Sequence, residues 1–102
     1  MLCFCGISAE FGYQIRLDFR DYFHIEPSEN CQNDFLEIRD GPWGYSDKLG
    51  RFCGNEFPPI ITSKDQHLWL RFYSDESLEY RGFRAVYDFI KNPGMIRYLY
   101  LL

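Results

Sequence analysis

Three acidic residues, far apart along the chain, carry the chemistry that this sequence offers. Glu26 ends one alternating apolar segment, Asp34 opens the next, and Asp75 follows a third. If these segment ends meet, the carboxylates repel one another by roughly 4 kcal/mol per pair at about 4 Å and an effective dielectric constant of about 20. A calcium ion relieves such repulsion, because it prefers oxygen ligands and completes its shell with carbonyls and water. The pattern indicates a calcium site, with carbonyl ligands expected in the turn at Ser77 and Leu78.

The same acids have a second interpretation, which the spacing leaves open. Each carboxylate can cap a turn or pair with an arginine such as Arg71, Arg81 or Arg84. Surface carboxylates are common and are usually solvated, so their presence alone does not require a metal ion.

Short segments in which apolar and polar residues alternate account for most of the chain. Alternation with a period of two is typical of half-buried β-strands, and an Asp-Gly-Pro turn ends one of these segments. No segment carries the 3.6-residue apolar period of a helix. The sequence therefore predicts an all-β fold, an antiparallel two-sheet β-sandwich whose loop edge gathers the strand ends. The clearest predicted strands are residues 15–19, 23–25, 35–38, 68–73 and 83–89.

Four cysteines permit two disulfides or a metal site. Cys31 and Cys53 flank the same hairpin-like pair of predicted strands, and a bridge between them would stabilise the fold by roughly 3 kcal/mol. The alternative is two buried free thiols, as in a cytosolic protein, whereas a bridge indicates an oxidising compartment. Cys3 and Cys5 are too close in sequence to bridge comfortably, and no nearby His or Cys completes a zinc site.

The composition argues against several kinds of partner. The 102 residues, 46% hydrophobic and 20% aromatic, suffice for one domain with a real core. The formal net charge is -4, and the Lys and Arg residues do not cluster, so nucleic acid is not expected as a partner. No apolar run approaches the roughly 18 residues of a membrane span, and the opening residues do not form a signal peptide. If the protein is secreted or an ectodomain, we expect its targeting signal and membrane span outside this chain.

Catalysis is not expected from these residues. His24 and His67 are the only histidines, and each belongs to a predicted strand, where a structural or solvent-facing role fits. The sequence contains no nucleophile elbow, no glycine-rich phosphate loop and no H-E-x-x-H motif. We therefore predict a binding module and not an enzyme.

Several motifs follow one another along the chain. They are I-R-L-D-F at residues 15–19, F-H-I-E at 23–26, C-Q-N-D-F-L-E-I-R-D-G at 31–41, G-R-F-C-G at 50–54, F-Y-S-D at 72–75 and G-F-R-A-V-Y at 82–87. Taken in this order, they resemble the motifs of CUB domains, and the resemblance covers roughly residues 3 to 90. It implies two packed antiparallel sheets in a jelly-roll-like arrangement.

The resemblance also implies a metal site, since a subset of CUB domains binds calcium at the loop edge. Glu26, Asp34 and Asp75 match the acidic ligands of that subset. The carbonyl of Ser77 is a weaker match, and Leu78 stands where many members have Asn. The resemblance thus assigns the same three acids that the spacing singled out.

In the calcium-binding subset a Lys or Arg of a partner protein often docks beside the ion. Here such a side chain would meet the acids and an adjacent acidic and aromatic rim formed by Glu76, Glu79 and Tyr80. A charge-assisted hydrogen bond to an ordered carboxylate is a strong contact. The alternative interpretation of this rim is a solvated loop.

Within the family, I-E-P-S at residues 25–28 and R-D-G-P-W-G-Y-S at 39–46 resemble the first CUB domain of neuropilin-and-tolloid-like proteins. Those are single-pass ancillary subunits of ionotropic glutamate receptors, mainly of the kainate type. The resemblance implies an extracellular or ectodomain location and such a receptor as a partner. The alternative is the exosite module of a secreted astacin/tolloid- or complement-type protease.

The chain departs from the family pattern at both ends. CUB domains begin some 25 to 30 residues earlier, so we expect a truncated domain over residues 3–90 that lacks its first strands and associates through an open sheet edge. Cys3 aligns with a family cysteine whose partner would lie in the absent segment. Residues 91–102, which include Asn92-Pro93-Gly94, match no family pattern and are expected to be a separate tail.

Overall fold

The computed structural model describes residues 2–75 and 81–91. Within those residues the chain forms seven β-strands and one short 3-10 turn, Glu29–Cys31. None of the described residues belongs to a helix long and apolar enough to cross a membrane. The strands are β1 Leu2–Ser8, β2 Tyr13–His24, β3 Phe35–Asp40, β4 Asp47–Phe52, β5 Ile61–Thr62, β6 His67–Tyr73 and β7 Gly82–Lys91.

The strands form two antiparallel sheets. The four-stranded sheet has the order β1-β6-β3-β4, and the three-stranded sheet has the order β5-β2-β7. Every strand pair in both sheets is antiparallel. The predicted all-β sandwich is confirmed, while the strand order could not be derived from the alternation of residues.

The core lies between the two sheets and is built from the apolar members of the alternating segments. On β2, Ile15, Leu17 and Phe19 are buried, and Arg16 and Asp18 between them point outward. β6 contributes in the same way through Leu68 and Leu70, whereas all of residues 35–38 on β3 are buried, with Leu36 and Ile38 in the core. Complete burial of each such side chain contributes roughly 1.5–3 kcal/mol. The period of two therefore identified the core face correctly.

β2 is longer than the alternation predicted. The sequence suggested two strands, residues 15–19 and 23–25, but one strand runs from Tyr13 to His24. Its register against β7 shifts between Phe19 and Phe23, and Asp21 has a φ of 69° at this irregularity. The irregularity returns Phe23 to the core, where its ring meets that of Phe19 at 5.7 Å. A bulge of this kind is a local backbone event that the apolar pattern does not reveal.

An apolar cleft of about 600 Å³ separates β1 from β7, the two edge strands on this side of the sandwich. It is lined by residues of both sheets, and Tyr87 and Phe89 are exposed beside it. Cys5, a free and exposed cysteine, also lines it. Tyr87 and Phe89 lie on the same face of β7 as Phe83 and Ala85, which pack against the core.

The other face of the four-stranded sheet holds one buried carboxylate among arginines. Glu37 on β3 accepts a hydrogen bond from Arg51 at 2.9 Å and one from Arg39 at 3.1 Å. Burial by itself would raise the pKa of Glu37. The hydrogen bonds and charges of the two arginines outweigh burial and hold its pKa below the ordinary value of 4.5. Glu37 is therefore ionised at neutral pH.

This arrangement predicts a defined dependence of stability on pH. Because the folded-state pKa of Glu37 is lowered, its contribution is fully present above about pH 4.5 and is lost as the pH falls through the folded-state pKa. We expect Glu37→Gln to lower the free energy of unfolding by about 1–3 kcal/mol at pH 7. The difference in the free energy of unfolding between the variant and wild type should disappear below the folded-state pKa of Glu37. Urea unfolding of both proteins between pH 2.5 and 7 measures this, and a difference independent of pH would contradict it.

Candidate functional site

The three acids predicted from the sequence meet at one edge of the sandwich. Glu26, Asp34 and Asp75 each present one carboxylate oxygen, and these oxygens all lie within 4.8 Å of one another. Asp34 is buried, Glu26 is half-buried and Asp75 is exposed. We call these three residues the acidic cluster. It has a buried base and a solvent-facing side.

Strand pairing places two of the three acids. β3 and β6 are antiparallel neighbours, and Phe35 at the start of β3 pairs with Tyr73 at the end of β6. Asp34 precedes the first residue of that pairing, and Asp75 follows the second by two positions. The rings of Phe35 and Tyr73 stack at 5.9 Å. The register of a sheet pair thus brings together two residues that are 41 positions apart in sequence.

Glu26 comes from the other sheet and is held by a bridge between the two strand ends. Ile25, after β2, forms an isolated antiparallel bridge with Gly54, after β4. Its N–H donates to the Gly54 carbonyl at 3.1 Å, and the Gly54 N–H donates back at 2.8 Å. Ile25 is buried, so its neighbour Glu26 is fixed at the rim of the core. Gly54 has a φ of 87°, which suits glycine at this reversal.

The disulfide Cys31–Cys53 secures the loop that leads from Glu26 to Asp34. The two Cα atoms are 5.6 Å apart. Within the loop, Ser28 accepts hydrogen bonds from the backbone N–H groups of Cys31 and Asn33, the first on its carbonyl and the second on its hydroxyl. The disulfide proposed from sequence is present in the structure. It ties this loop to the end of β4.

Asp34 partly fits the second interpretation of the acids, in which each carboxylate caps a turn or pairs with an arginine. The backbone N–H of Asp75 donates to its Oδ1 at 3.2 Å. The Ser74 hydroxyl, which has one proton to donate, lies 3.4 Å from its Oδ2 and 3.0 Å from the Asp75 carbonyl oxygen. These bonds fix the orientation of the buried carboxylate and leave further lone pairs on both oxygens. Sequence reasoning did not identify Ser74, although it precedes Asp75 in the F-Y-S-D motif.

The acidic cluster fits a calcium ion. Calcium binds oxygen at about 2.3–2.6 Å, so two oxygens on one ion are at most about 5 Å apart. The 4.8 Å limit of the cluster meets that requirement. The donor set consists only of carboxylate oxygens, which suits a hard cation. Without a cation, carboxylates at this spacing would repel by about 3 kcal/mol per pair at an effective dielectric constant of about 20.

Several other predicted site residues lie outside the described part of the chain. These are the carbonyl ligand Ser77, its neighbour Leu78, and the rim residues Glu76, Glu79 and Tyr80. Residues 92–102, the larger part of the predicted tail, also lie outside it.

Comparisons with known proteins find clear relatives. The profile of the CUB domain family matches residues 1–87. Human neuropilin and tolloid-like protein 2 is 45% identical over 91 residues, or 89% of this chain and 17% of that protein. Human tolloid-like protein 1 is 38% identical over 101 residues, or 93% of this chain and 10% of that protein. The chain thus spans a small part of both relatives.

A solved structure with the same fold is that of the MASP-1 CUB2 domain bound to Ca2+. The TM-score is 0.73 at 35% identity, and the match covers 85% of this chain and 76% of that one. That domain is described as bound to calcium, and the present chain shares its fold.

The geometry predicts that calcium stabilises the folded protein through Asp34. With a dissociation constant of about 0.1–1 mM, 10 mM calcium adds roughly 1.4–2.7 kcal/mol to the free energy of unfolding. We expect wild type to show this rise, measured as an increase in Tm of several degrees against a buffer with EDTA. Asp34→Asn keeps the shape of the side chain and should abolish the rise. Asp47→Asn, at the exposed start of β4, is the matched control and should respond like wild type. Equal responses in the two variants would contradict the site.

The disulfide generates a separate prediction. Replacing Cys31 and Cys53 together by serine should lower the free energy of unfolding by about 3 kcal/mol, because the unfolded chain regains the entropy of an open loop. Cys5→Ser is the control and should change stability by less than about 0.5 kcal/mol, since Cys5 is exposed. Chemical denaturation measures both changes. An unchanged stability of the double variant would show that the bridge does not constrain the loop.

Proposed function

Because the chain belongs to the CUB domain family, we propose that it is a non-catalytic extracellular module that binds other proteins through a calcium-organised site. The family assignment confirms the resemblance read from the ordered motifs and their likeness to neuropilin-and-tolloid-like proteins. The observation that carries the proposal is the gathering of Glu26, Asp34 and Asp75 within 4.8 Å, from two sheets, around a buried carboxylate.

Each acid has a separate part in this function. Asp34 is the fixed base, because it is buried and held by the Asp75 N–H and Ser74. Glu26 and Asp75 reach the solvent-facing side of the cluster. Bound calcium would supply positive charge that holds the three carboxylates in one arrangement. The lone pairs that remain on Glu26 and Asp75 can then accept charge-assisted hydrogen bonds from a partner's Lys or Arg.

The proposed context is the ectodomain of a neuropilin-and-tolloid-like ancillary subunit, with a kainate-type glutamate receptor as partner. The 45% identity to human neuropilin and tolloid-like protein 2 supports this context. So does the hairpin sequence R-D-G-P-W-G-Y-S at residues 39–46, on which the resemblance was based.

A second candidate is a recognition module of a secreted tolloid- or complement-type protease. The 38% identity to human tolloid-like protein 1 and the structural likeness to the MASP-1 CUB2 domain support it. In this setting too the module would bind and would not cut. The two candidates share the calcium-organised site and differ in the partner.

A binding measurement with a defined partner tests the proposal. The chain is immobilised and the purified ectodomain of a kainate-type receptor is passed over it in 2 mM calcium and in EDTA. We expect binding that falls at least tenfold in EDTA and equally for Asp34→Asn in calcium, with Asp47→Asn unchanged. The same measurement with a tolloid protease tests the second candidate. Binding that is equally strong in calcium and in EDTA, and unchanged by Asp34→Asn, would contradict the calcium-organised site.

A further inference from the structure

The solvent-facing side of the four-stranded sheet is rich in aromatic rings and guanidinium groups. Phe4 on β1, Trp69 on β6 and Phe35 on β3 belong to this side, which we call the outer face. The rings of Phe4 and Trp69 meet at 5.7 Å. Phe4 is 57% exposed, and Tyr73, stacked on Phe35, is 39% exposed. Exposed aromatic residues beside arginines are the composition that protein interfaces favour at their energetic centres.

Arg71 is the one arginine of the outer face that lacks an ionic partner among the described residues. It pairs in register with Glu37, across β6 and β3. However, one oxygen of Glu37 is held by Arg51 and the other by Arg39. The Nε of Arg71 is buried and has no hydrogen-bond partner. One carboxylate thus binds two of the three guanidinium groups, and the third has no ion pair with any residue in the ranges 2–75 and 81–91.

The surroundings of Arg71 orient its guanidinium group. The group lies over the ring of Phe4 at 5.7 Å and over that of Phe35 at 5.4 Å. It also borders a cleft of about 420 Å³ that Asp34 and Asp75 line as well. The aromatic rings orient the planar guanidinium group and lower its hydration. Both effects favour a bidentate contact with a carboxylate.

We propose that the outer face binds an acidic segment of a protein, with a carboxylate on Arg71 and an adjacent apolar side chain on Phe4 and Trp69. Charge complementarity selects this occupant. A sulfated polysaccharide would require a row of accessible cations. Arg39 and Arg51 share the carboxylate of Glu37 and are only 23% and 30% exposed, and the further cation Lys48 lies away from Arg71, on the edge strand β4. A single unpaired guanidinium group among rings fits one carboxylate with apolar neighbours.

This inference goes beyond the proposed function, which uses the acidic cluster and a basic partner side chain. Asp34 and Asp75 lie beside Arg71 and weaken the attraction of an anion. Calcium in the acidic cluster would offset them and strengthen binding. Only the expected effect of calcium on binding rests on the proposed function. The expected loss of binding when Arg71 is replaced does not.

A displayed library of random peptides is the probe, panned on the folded chain in EDTA and in 2 mM calcium. We expect enriched peptides that place Asp or Glu next to an aromatic or aliphatic residue. Their binding should fall about tenfold or more for Arg71→Gln. It should fall less for Arg71→Lys, because the lysine ammonium keeps the positive charge but loses the planar, bidentate contact of the guanidinium group. Arg16→Gln, an exposed arginine on β2, is the matched control and should bind as wild type does. Phe4→Ser, a change at an exposed ring, should weaken binding even if Arg71→Gln fails to fold.

The outcomes separate the two proposals. If calcium has no effect but Arg71→Gln still abolishes binding, the calcium site fails and the outer-face proposal stands. If no acidic peptide is enriched in either buffer, or if Arg71→Gln and Phe4→Ser bind enriched peptides as wild type does, the outer-face proposal is overturned. Retention on a heparin column that depends on Arg71 would also overturn it, in favour of a sulfated polysaccharide.

Discussion

Like-charge repulsion among three carboxylates at one edge of the sandwich is the physical constraint that the surrounding fold has to overcome. The oxygens of Glu26, Asp34 and Asp75 lie within 4.8 Å of one another, and at such distances each pair repels by about 3 kcal/mol. Whole-domain stabilities are about 5–15 kcal/mol, so this repulsion is large without a counter-charge. Strand pairing, the Ile25–Gly54 bridge and a disulfide nevertheless hold the acids in place. A divalent cation bound between the three carboxylates, as proposed above, would offset this repulsion.

The strand pair β3 and β6 borders two different electrostatic environments. At its end three carboxylates, those of Glu26, Asp34 and Asp75, lie close together and form the acidic cluster. On its outer face the guanidinium groups of residues 39, 51 and 71 outnumber the one carboxylate of Glu37. Arg71 stands where the two environments meet, since it borders the cleft that Asp34 and Asp75 line. A chain with a net charge of -4 therefore presents surfaces of both signs within a short distance.

The sequence predicted those parts of the fold that follow from local alternation. The buried residues of β2 and β6 were identified because every second residue faces the core, whereas the burial of both faces of β3 was not. The acids were found because they stand at strand ends. The irregularity at Asp21, the pairing of Ile25 with Gly54 and the buried Arg71 Nε without a hydrogen-bond partner in the described residues were not found. These three depend on which strands pair and in which register, and a local pattern contains no such information.

The most direct test of the central claim is to locate the cation. Crystals of the chain grown in calcium, with anomalous scattering data from a terbium-exchanged crystal, would show where the ion binds. The account predicts one strong anomalous peak about 2.3–2.6 Å from oxygens of Glu26, Asp34 and Asp75. A well-formed sandwich with no peak at that position, or with a Lys or Arg side chain among the three carboxylates, would contradict it.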